Sequence, residues 1–351
     1  MKWNRLWDTI RNWENWPFML RYLPIGPAWV YYIIRSRSVW FFTPSNPTLT
    51  FGGFEGEAKK EMYNLLPEGS YPKTIYIQPS QPIAEVKRLI QENGFTYPFC
   101  VKPDVGMKGL LFRKLDSEKD LEGYHQQMPA EYIVQELVDY NMEVSVFYYR
   151  YPNEAKGVIT GFIQKELMEV TGNGNETLLQ LIQKHPKAKF REGEMRTKHA
   201  EHLQTVLNQG DKFYLSYAAN LNRGARFIDL SHQIDEQLHQ LFDDLSFKGQ
   251  FYYGRYDIKC ASIEDLKRGI NFSILEFNGS GAEPNHVYNA GLTLRQAHDI
   301  ILKHWEVLYR ISKYNNAQGI HYWGFWKGWR FLRQAKKHLK VLEAYDTKIG
   351  L

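Results

Sequence analysis

The sequence is poor in cysteine, with only Cys100 and Cys260 among its 351 residues. Both lie in apolar, strand-like stretches at no metal-ligand spacing. That excludes a disulfide framework and a thiolate metal site, and it points to a reducing, cytoplasmic compartment. Long apolar runs are missing too. The longest, Tyr22 to Ile34, holds Pro24 and Pro27 and ends at Arg35, whereas a bilayer span needs about 20 apolar residues. The opening MKWNRLWDTIRNWENW scatters its charges and has no small-residue cleavage site, so no signal peptide is expected. Neither the Walker pattern Gly-x-x-x-x-Gly-Lys-Ser/Thr nor Gly-x-Gly-x-x-Gly occurs. There is no internal repeat and no low-complexity tract.

What is present is an ordinary globular balance, 43% hydrophobic and 24% charged, long enough for two or three domains or lobes. The net charge of +5 is unevenly spread. Residues 1–40 carry six Lys/Arg against two acids, and residues 321–351 carry seven against two, so the body between them is at +5 − 9 = −4. Nine of the ten tryptophans lie in those same two ends, which therefore do a different job from the body.

Periodicity predicts a helix through Trp3, Leu6, Trp7, Ile10 and Trp13, then a Pro- and Gly-rich loop, FFTPSNPTLTFGGFEGE. A short helix at EAKKEMYNLLPEG and a strand at Lys73–Ile77 follow. A helix through Ile83, Val86 and Ile90 stops at Asn93-Gly94. YPFCVKPDVGMKGLLF reads as strand, glycine loop, strand, and EYIVQELV, MEVSVFYYR and GVITGFIQKELMEV as extended. ETLLQLIQKH, AEHLQTVLNQ and HQIDEQLHQLFDDL read as helices, and LRQAHDIILKHWEVLYRISKYN as a long one.

Three stretches carry chemistry. In FSILEFN, alternation puts Ile274, Glu276 and Asn278 on one face; in YGRYDIK it puts Arg255, Asp257 and Lys259 together. If the two strands are antiparallel neighbours, Asp257, Glu276 and Asn278 converge. Such an all-oxygen set suits Mg²⁺ beside phosphate, with Arg255 near the anion. The plain alternative is a salt-bridged pair of half-exposed strands. The second stretch follows Lys102: Gly106 and Gly109 bracket Lys108, a turn able to cover phosphates, or simply a solvated hairpin. In the third, Glu136 and Glu143 stand seven residues apart across a loop, either as surface acids or as groups for an adenine and a ribose.

Taken in this order, the three stretches resemble the ATP-grasp superfamily over about residues 80–315, most of all the D-alanine–D-alanine ligase group and the ATP-grasp part of cyanophycin synthetase. The resemblance implies an α+β fold of two lobes gripping ATP. Residues 1–80 would form an aromatic helical region and lead-in, 81–140 the small lobe, 141–320 the large lobe with the metal site, and 321–351 a basic helical tail. It implies that Lys102 and the loop from Asp104 to Gly109, with Gly106, Lys108 and Gly109, hold the ATP phosphates. Glu136 would face adenine, Leu137 and Val138 form the hinge, and Glu143 hold the ribose. Asp257, Glu276 and Asn278 would bind Mg²⁺, with Mn²⁺ as a substitute, and Arg255 would steady the anionic intermediates. Lys165 is a second-lobe lysine for the phosphates. Arg223 and Arg226, in AANLNRGARFIDLS, are candidates for phosphate or carboxylate contacts, with Ala225 where the family loop has a second glycine. The loop after Asn278 departs from the D-alanine enzymes and adds Ser280, Glu283 and His286 as substrate candidates.

The activity implied is carboxylate–amine ligation through an acyl phosphate on small-molecule or peptide-like substrates. A non-ligating kinase and an ATP-binding module are the competing readings. His199 and His202 are three apart but lack a third ligand, which predicts a solvated helix face. In the tail, Trp329, Leu332, Ala335, Leu339 and Leu342 fall at helical spacing beside six Lys/Arg, with no acid from the start of the tail up to Glu343. That pattern suits an interfacial helix on an anionic membrane inner face; the alternative is that the ends pack on each other or on a second subunit. No nucleic-acid partner is expected.

Overall fold

The computed structural model describes residues 12–107, 109–216 and 224–346. Of the expected helix through Trp3, Leu6, Trp7, Ile10 and Trp13, the first four, like Lys108 and Arg223, therefore lie outside the described residues, and Trp13 opens a 3-10 turn, Trp13–Asn15. The chain divides into two compact units, one of residues 1–162 with 230–351 and the other of 163–229.

In the first unit, α1 (Phe18–Tyr22) and α2 (Gly26–Ser36) open the chain. The expected loop after them is irregular, as its Pro and Gly content predicts, but it is buried rather than exposed. Its 3-10 turns at Thr43–Ser45 and Thr50–Gly53 carry Phe41, Phe42 and Phe51 into an aromatic core with Trp40 and Tyr253. Buried polar backbone needs partners, and Asn46 supplies them. Its Oδ1 accepts from the Tyr252 and Tyr253 N–H groups (2.9 and 3.1 Å), and its Nδ2 donates to the Gly52 and Tyr253 carbonyls (3.1 and 2.9 Å).

Next come α3 (Lys59–Tyr63), β1 (Thr74–Ile77), α4 (Ile83–Glu92), β2 (Phe99–Pro103), β3 (Arg113–Leu115), α5 (Glu118–Gln127) and β4 (Tyr132–Glu136). The strands form an antiparallel sheet in the order β1-β4-β2-β3, so its edge strand β1 precedes residue 81. Ser117 caps α5 by accepting from the Asp120 N–H. Val86, Ile90, Leu121 and Tyr124 pack on the sheet, and Leu342 from the far end of the chain joins them.

β5 (Met142–Tyr149) and β6 (Val158–Glu166) begin the larger sheet, and β6 runs on into the second unit. That unit holds β7 (Glu169–Thr171), α6 (Leu178–Lys184), α7 (Glu192–Lys198), β8 (Lys212–Tyr214) and β9 (Arg226–Asp229). Residues 163–166 of β6 pair with β9, and β7 pairs with β8. The helix expected over 200–209 is replaced by a 3-10 turn at Ala200–His202 and an extended segment. There the Thr205 and Leu203 carbonyls accept from Leu178 and Leu179, so pairing with the start of α6 overrides the apolar spacing. His199 is buried rather than solvated, its Nε2 donating to the Leu215 carbonyl at 3.1 Å.

The chain returns with α8 (Glu236–Gly249), β10 (Tyr253–Cys260), α9 (Ile263–Lys267), β11 (Phe272–Asn278), α10 (Leu294–Ala317) and α11 (Phe325–Asp346). The large sheet runs β11-β10-β5-β6, with β10 antiparallel to both neighbours. One face, with Val144, Val146, Tyr256 and Ile258, packs on Leu238, Phe242 and Leu245 of α8. Both cysteines are buried in strands as free thiols. Among the described residues, no helix is long and apolar enough to cross a membrane.

The tail helix α11 does not present its apolar stripe outward. Gly328, Phe331, Leu332, Ala335, Leu339 and Leu342 face the protein, and the exposed side carries Lys327, Arg330, Arg333, Lys336, Lys337 and Lys340. Of the predicted stripe, Leu332, Ala335, Leu339 and Leu342 are thus satisfied by the chain's own core, whereas Trp329, near the start of the helix, is exposed.

Candidate active site

Asp257 pairs with Glu276 and Arg255 with Asn278 across β10 and β11, and Ser145 of β5 stands on the other side of Asp257. The predicted face therefore exists. One member leaves it. A bulge between Asp257 and Ile258 makes Leu275 an extra residue on β11, so Ile274 pairs with Ile258 and joins the core. A one-residue insertion flips every side chain beyond it. The Leu275 carbonyl is taken by the Tyr63 hydroxyl at 2.8 Å.

Asp257 is buried, and both its carboxylate oxygens accept hydrogen bonds. Arg255 donates to both carboxylate oxygens (Nε to Oδ1 and Nη2 to Oδ2, each 3.2 Å), and Ser145 Oγ donates to Oδ1 at 2.7 Å. Arg255 Nη1 also donates to the Glu283 carbonyl at 3.1 Å, which ties the loop after β11 to this ion pair. Asn285 Nδ2 donates to Ser145 Oγ at 3.1 Å. Further along the face, Lys259 Nζ donates to the Val138 carbonyl at 2.9 Å and so fixes the segment after β4.

Why Gly279-Ser280-Gly281 follows Asn278 is answered by its neighbour. The Ser280 and Gly281 N–H groups donate to the Gly52 and Gly53 carbonyls at 3.0 and 3.2 Å. The backbones meet so closely that a Cβ on Gly279 would stand 2.6 Å from the Gly52 oxygen. Only glycine permits that approach.

Between these elements lies a cleft of about 170 Å³. Glu276 and Asn278 line one side, Gly53 to Lys59 another, and Val105 to Met107 of the glycine loop a third. Ala335, His338 and Leu339 of α11 line it too. Sequence reasoning missed Glu57 and Lys59 here. Lys59 Nζ donates to the Asp104 and Gly106 carbonyls (3.3 and 3.2 Å), and the Lys60 N–H donates to Asp104 Oδ1 at 3.0 Å. His338 Nε2 donates to the Val105 carbonyl at 3.0 Å. The loop is thus held from two sides. Burial pushes the ammonium groups of Lys59 and Lys102 down, opposed in both cases by Glu276.

Burial pushes Glu57 up to about 7, and its Oε2 is buried with no hydrogen-bond partner among the described residues. A raised carboxyl stabilises the fold in its neutral form. In metal-free buffer that contribution is complete below the ordinary value of 4.5 and is lost as pH rises through about 7. The expected loss is on the order of 3 kcal/mol. Urea denaturation between pH 4.5 and 8 measures it, and Glu57→Gln should flatten that part of the profile.

The oxygen set fits a hard divalent cation in kind. Asp257, Glu276 and Asn278 supply two carboxylates and a carboxamide, and the orphaned Glu57 oxygen lines the same cleft as Glu276 and Asn278. Among the described residues no cluster of three His, Cys, Asp or Glu that could hold a metal ion is found.

The remaining predicted residues are dispersed. Glu136 is exposed and accepts from the Lys73 N–H at 2.9 Å, with Leu137 exposed beside it. Glu143 lies across from Lys259 on the large sheet. Gly109 has a left-handed backbone, φ 71°. Ser280 Oγ is buried without a partner among the described residues. Glu283 accepts from the Tyr22 and Tyr288 hydroxyls, and Arg21 donates to Tyr288 at 2.6 Å, so its carboxylate sits in a phenolic cluster. His286 lines a separate cavity of about 280 Å³ with Thr160, Lys303 and His304. Burial pushes His304 down to about 4; its Nδ1 donates to the Ile300 carbonyl and its Nε2 accepts from Thr160. In the second unit, Lys165 is buried on β6, and Arg226 is exposed on β9, 3.9 Å from Glu166.

No protein-family model matches the sequence, and no curated protein matches it. Among solved structures the chain is similar to a bifunctional glutathione synthetase from Pasteurella multocida, at 13% identity and TM-score 0.40 over 71% of this chain and 36% of that one. It is similar to the VanG D-Ala:D-Ser ligase from Enterococcus faecalis, at 15% identity and TM-score 0.41 over 72% of this chain and 61% of that one. A third likeness is to the ATP-grasp ligase PsnB complexed with minimal precursor, at 15% identity and TM-score 0.39 over 70% and 60%. The chain spans between 36% and 61% of the lengths of these proteins. The chain itself is α+β, with helices packed on antiparallel sheets.

Proposed function

We propose that the protein is an ATP-dependent carboxylate–amine ligase that works through an acyl phosphate. One observation carries the reading: Arg255, Asp257, Glu276 and Asn278 share a sheet face, and Glu276 and Asn278 open onto a cleft shared with Lys59 and the glycine loop. Lys59 and Lys102 neutralise the phosphates, and the backbone from Asp104 to Gly109, with Lys108, covers them. Glu136, Leu137, Val138 and Glu143 take the nucleoside, with Lys259 steadying Val138. Asp257, Glu276 and Asn278 would hold Mg²⁺ or Mn²⁺, which would supply neutralisation of phosphate charge.

A substrate carboxylate oxygen attacks the γ-phosphorus of ATP; the bond to ADP breaks and an acyl phosphate forms. An amine then attacks the acyl carbon. The C–O bond to phosphate breaks, an amide and inorganic phosphate result, and the amine proton passes to solvent. Arg255 steadies the tetrahedral anion. Lys165, Arg223, Arg226, Ser280, Glu283 and His286 remain the candidates for substrate contacts. Glu283 must leave its two phenols to hold an amine, which makes Ser280 the readier group. Catalysis is positioning and electrostatics, and the glycine loop must close to keep water from the acyl phosphate.

The test is isotopic. With pooled ¹⁸O-carboxylate acids and amines, the released phosphate should carry ¹⁸O from the acid. ADP without free phosphate would make the protein a kinase instead, and no acceptor-dependent ADP would make it a binding module.

A further inference from the structure

The charge and burial of α1, α2 and the first turn of α11 point to a ligand of their own. Among the described residues, eleven of the twenty-two large exposed hydrophobic side chains lie in just two stretches, 18–39 and 325–329. Met19 and Trp326 are each 70% exposed, Ile34 68% and Leu23 66%. The outer side of α2 shows Pro27, Val30, Tyr31 and Ile34 at helical spacing, all exposed. Its inner side packs Trp29, Tyr32 and Ile33 into the aromatic core. A helix apolar on both sides is covered on both sides. The two stretches meet at Trp40, which stacks on Phe325 and donates from Nε1 to its carbonyl at 3.1 Å.

Charge selects the partner. No acid occurs from Trp16 to Phe54 or from Val307 to Leu342, while Arg21, Arg35 and Arg37 and the basic side of α11 lie in those spans. A second copy would set positive charge against positive charge. Exposed Leu, Ile, Phe and Trp beside Arg and Lys are the groups that enter the headgroup boundary of an anionic bilayer.

We propose that α1, α2 and the first turn of α11 dock the protein on an anionic membrane surface, the apolar side chains entering the interface and the basic residues meeting lipid phosphates. This goes beyond the ligase reading and is measured without ATP.

The experiment is co-sedimentation of the full chain with phosphatidylcholine vesicles and with vesicles holding 30 mol% phosphatidylglycerol, at two salt concentrations. Binding should require the anionic lipid and weaken with salt. The double variant Val30→Ser/Ile34→Ser should bind at least tenfold more weakly, and Trp326→Ser/Trp329→Ser should also lose affinity. Thermal melts matching the parent would show that each variant is folded. Equal binding by folded variants would overturn the proposal, as would failure of the parent to bind anionic vesicles. So would a dimer in analytical ultracentrifugation that the Val30/Ile34 variant abolishes, which would assign the face to a second copy.

Discussion

Glu276→Gln is expected to lower the proposed ligase turnover about 10³-fold, the scale of removing one preorganised charge from an active site. The variant keeps the size of the side chain while removing its charge and replacing one acceptor oxygen by an amide donor. That charge is central. Glu276 acts electrostatically on Glu57, Lys59, Tyr63, Lys102 and Arg255, five groups from three separate segments of the chain. Its position on β11 is half-exposed, so the melting temperature should stay within about 2 °C of the parent. Asp257→Asn is a less clean experiment. Asp257 is the buried counter-ion of the half-buried Arg255, and breaking so enclosed a pair on one side leaves an uncompensated charge, at a cost of about 3–5 kcal/mol. Loss of activity there would mix chemistry with folding. ADP release and thermal melting, run together on Glu276→Gln, separate the two. An active, folded variant would remove Glu276 from the site.

The pairing of Asp257 with Glu276 was legible in the sequence because alternation along a strand is a strict period and both strands obey it near the carboxylates. The bulge at Leu275 was not, because a leucine fits either face and the extra residue shows only in the register with β10. The α+β fold class was implied by the resemblance that the three chemistry-bearing stretches carry, and the observed helices and strands agree with it. Burial of the segment around Phe41 to Gly53 did not. Pro and Gly report local irregularity, whereas the partners that bury it, Tyr253 and Gly279, lie more than 200 residues away. Glu57 and Lys59 were overlooked for the same reason. Nothing in EGEAKK distinguishes two ordinary surface charges from two that line a cleft; only the tertiary approach of the Gly52-Gly53 turn to the loop after β11 puts them there. The tail shows the reverse case. Its helical spacing was plain, but a stripe of apolar residues says that something covers it and not what.

Leu342→Ala tests what covers it. The side chain is fully buried in the core of the smaller sheet, and its removal is expected to destabilise the protein by about 3 kcal/mol, within the 2–5 kcal/mol typical of such truncations. Its neighbours make α11 a clasp. One turn beyond Leu342, the Asp346 carboxylate accepts from the Leu111 N–H at 2.9 Å and from Arg113 at 3.0 Å; one turn before it, His338 holds the Val105 carbonyl. Leu342→Ala should therefore also weaken ATP binding, since the strap over the glycine loop loses its anchor. Lys336→Gln, on the exposed side, should change stability by less than about 0.5 kcal/mol. Urea denaturation of the two variants, with ATP affinity measured on each, reads both effects. The contrast bears on how the ends of the chain can be probed. Deleting residues 321–351 removes Leu342 along with the basic residues and opens the core, so lost vesicle binding by such a truncation would report unfolding as readily as lost contact. If Leu342→Ala instead melts with the parent, α11 is not anchored through that side chain, and its apolar stripe becomes available to lipid after all.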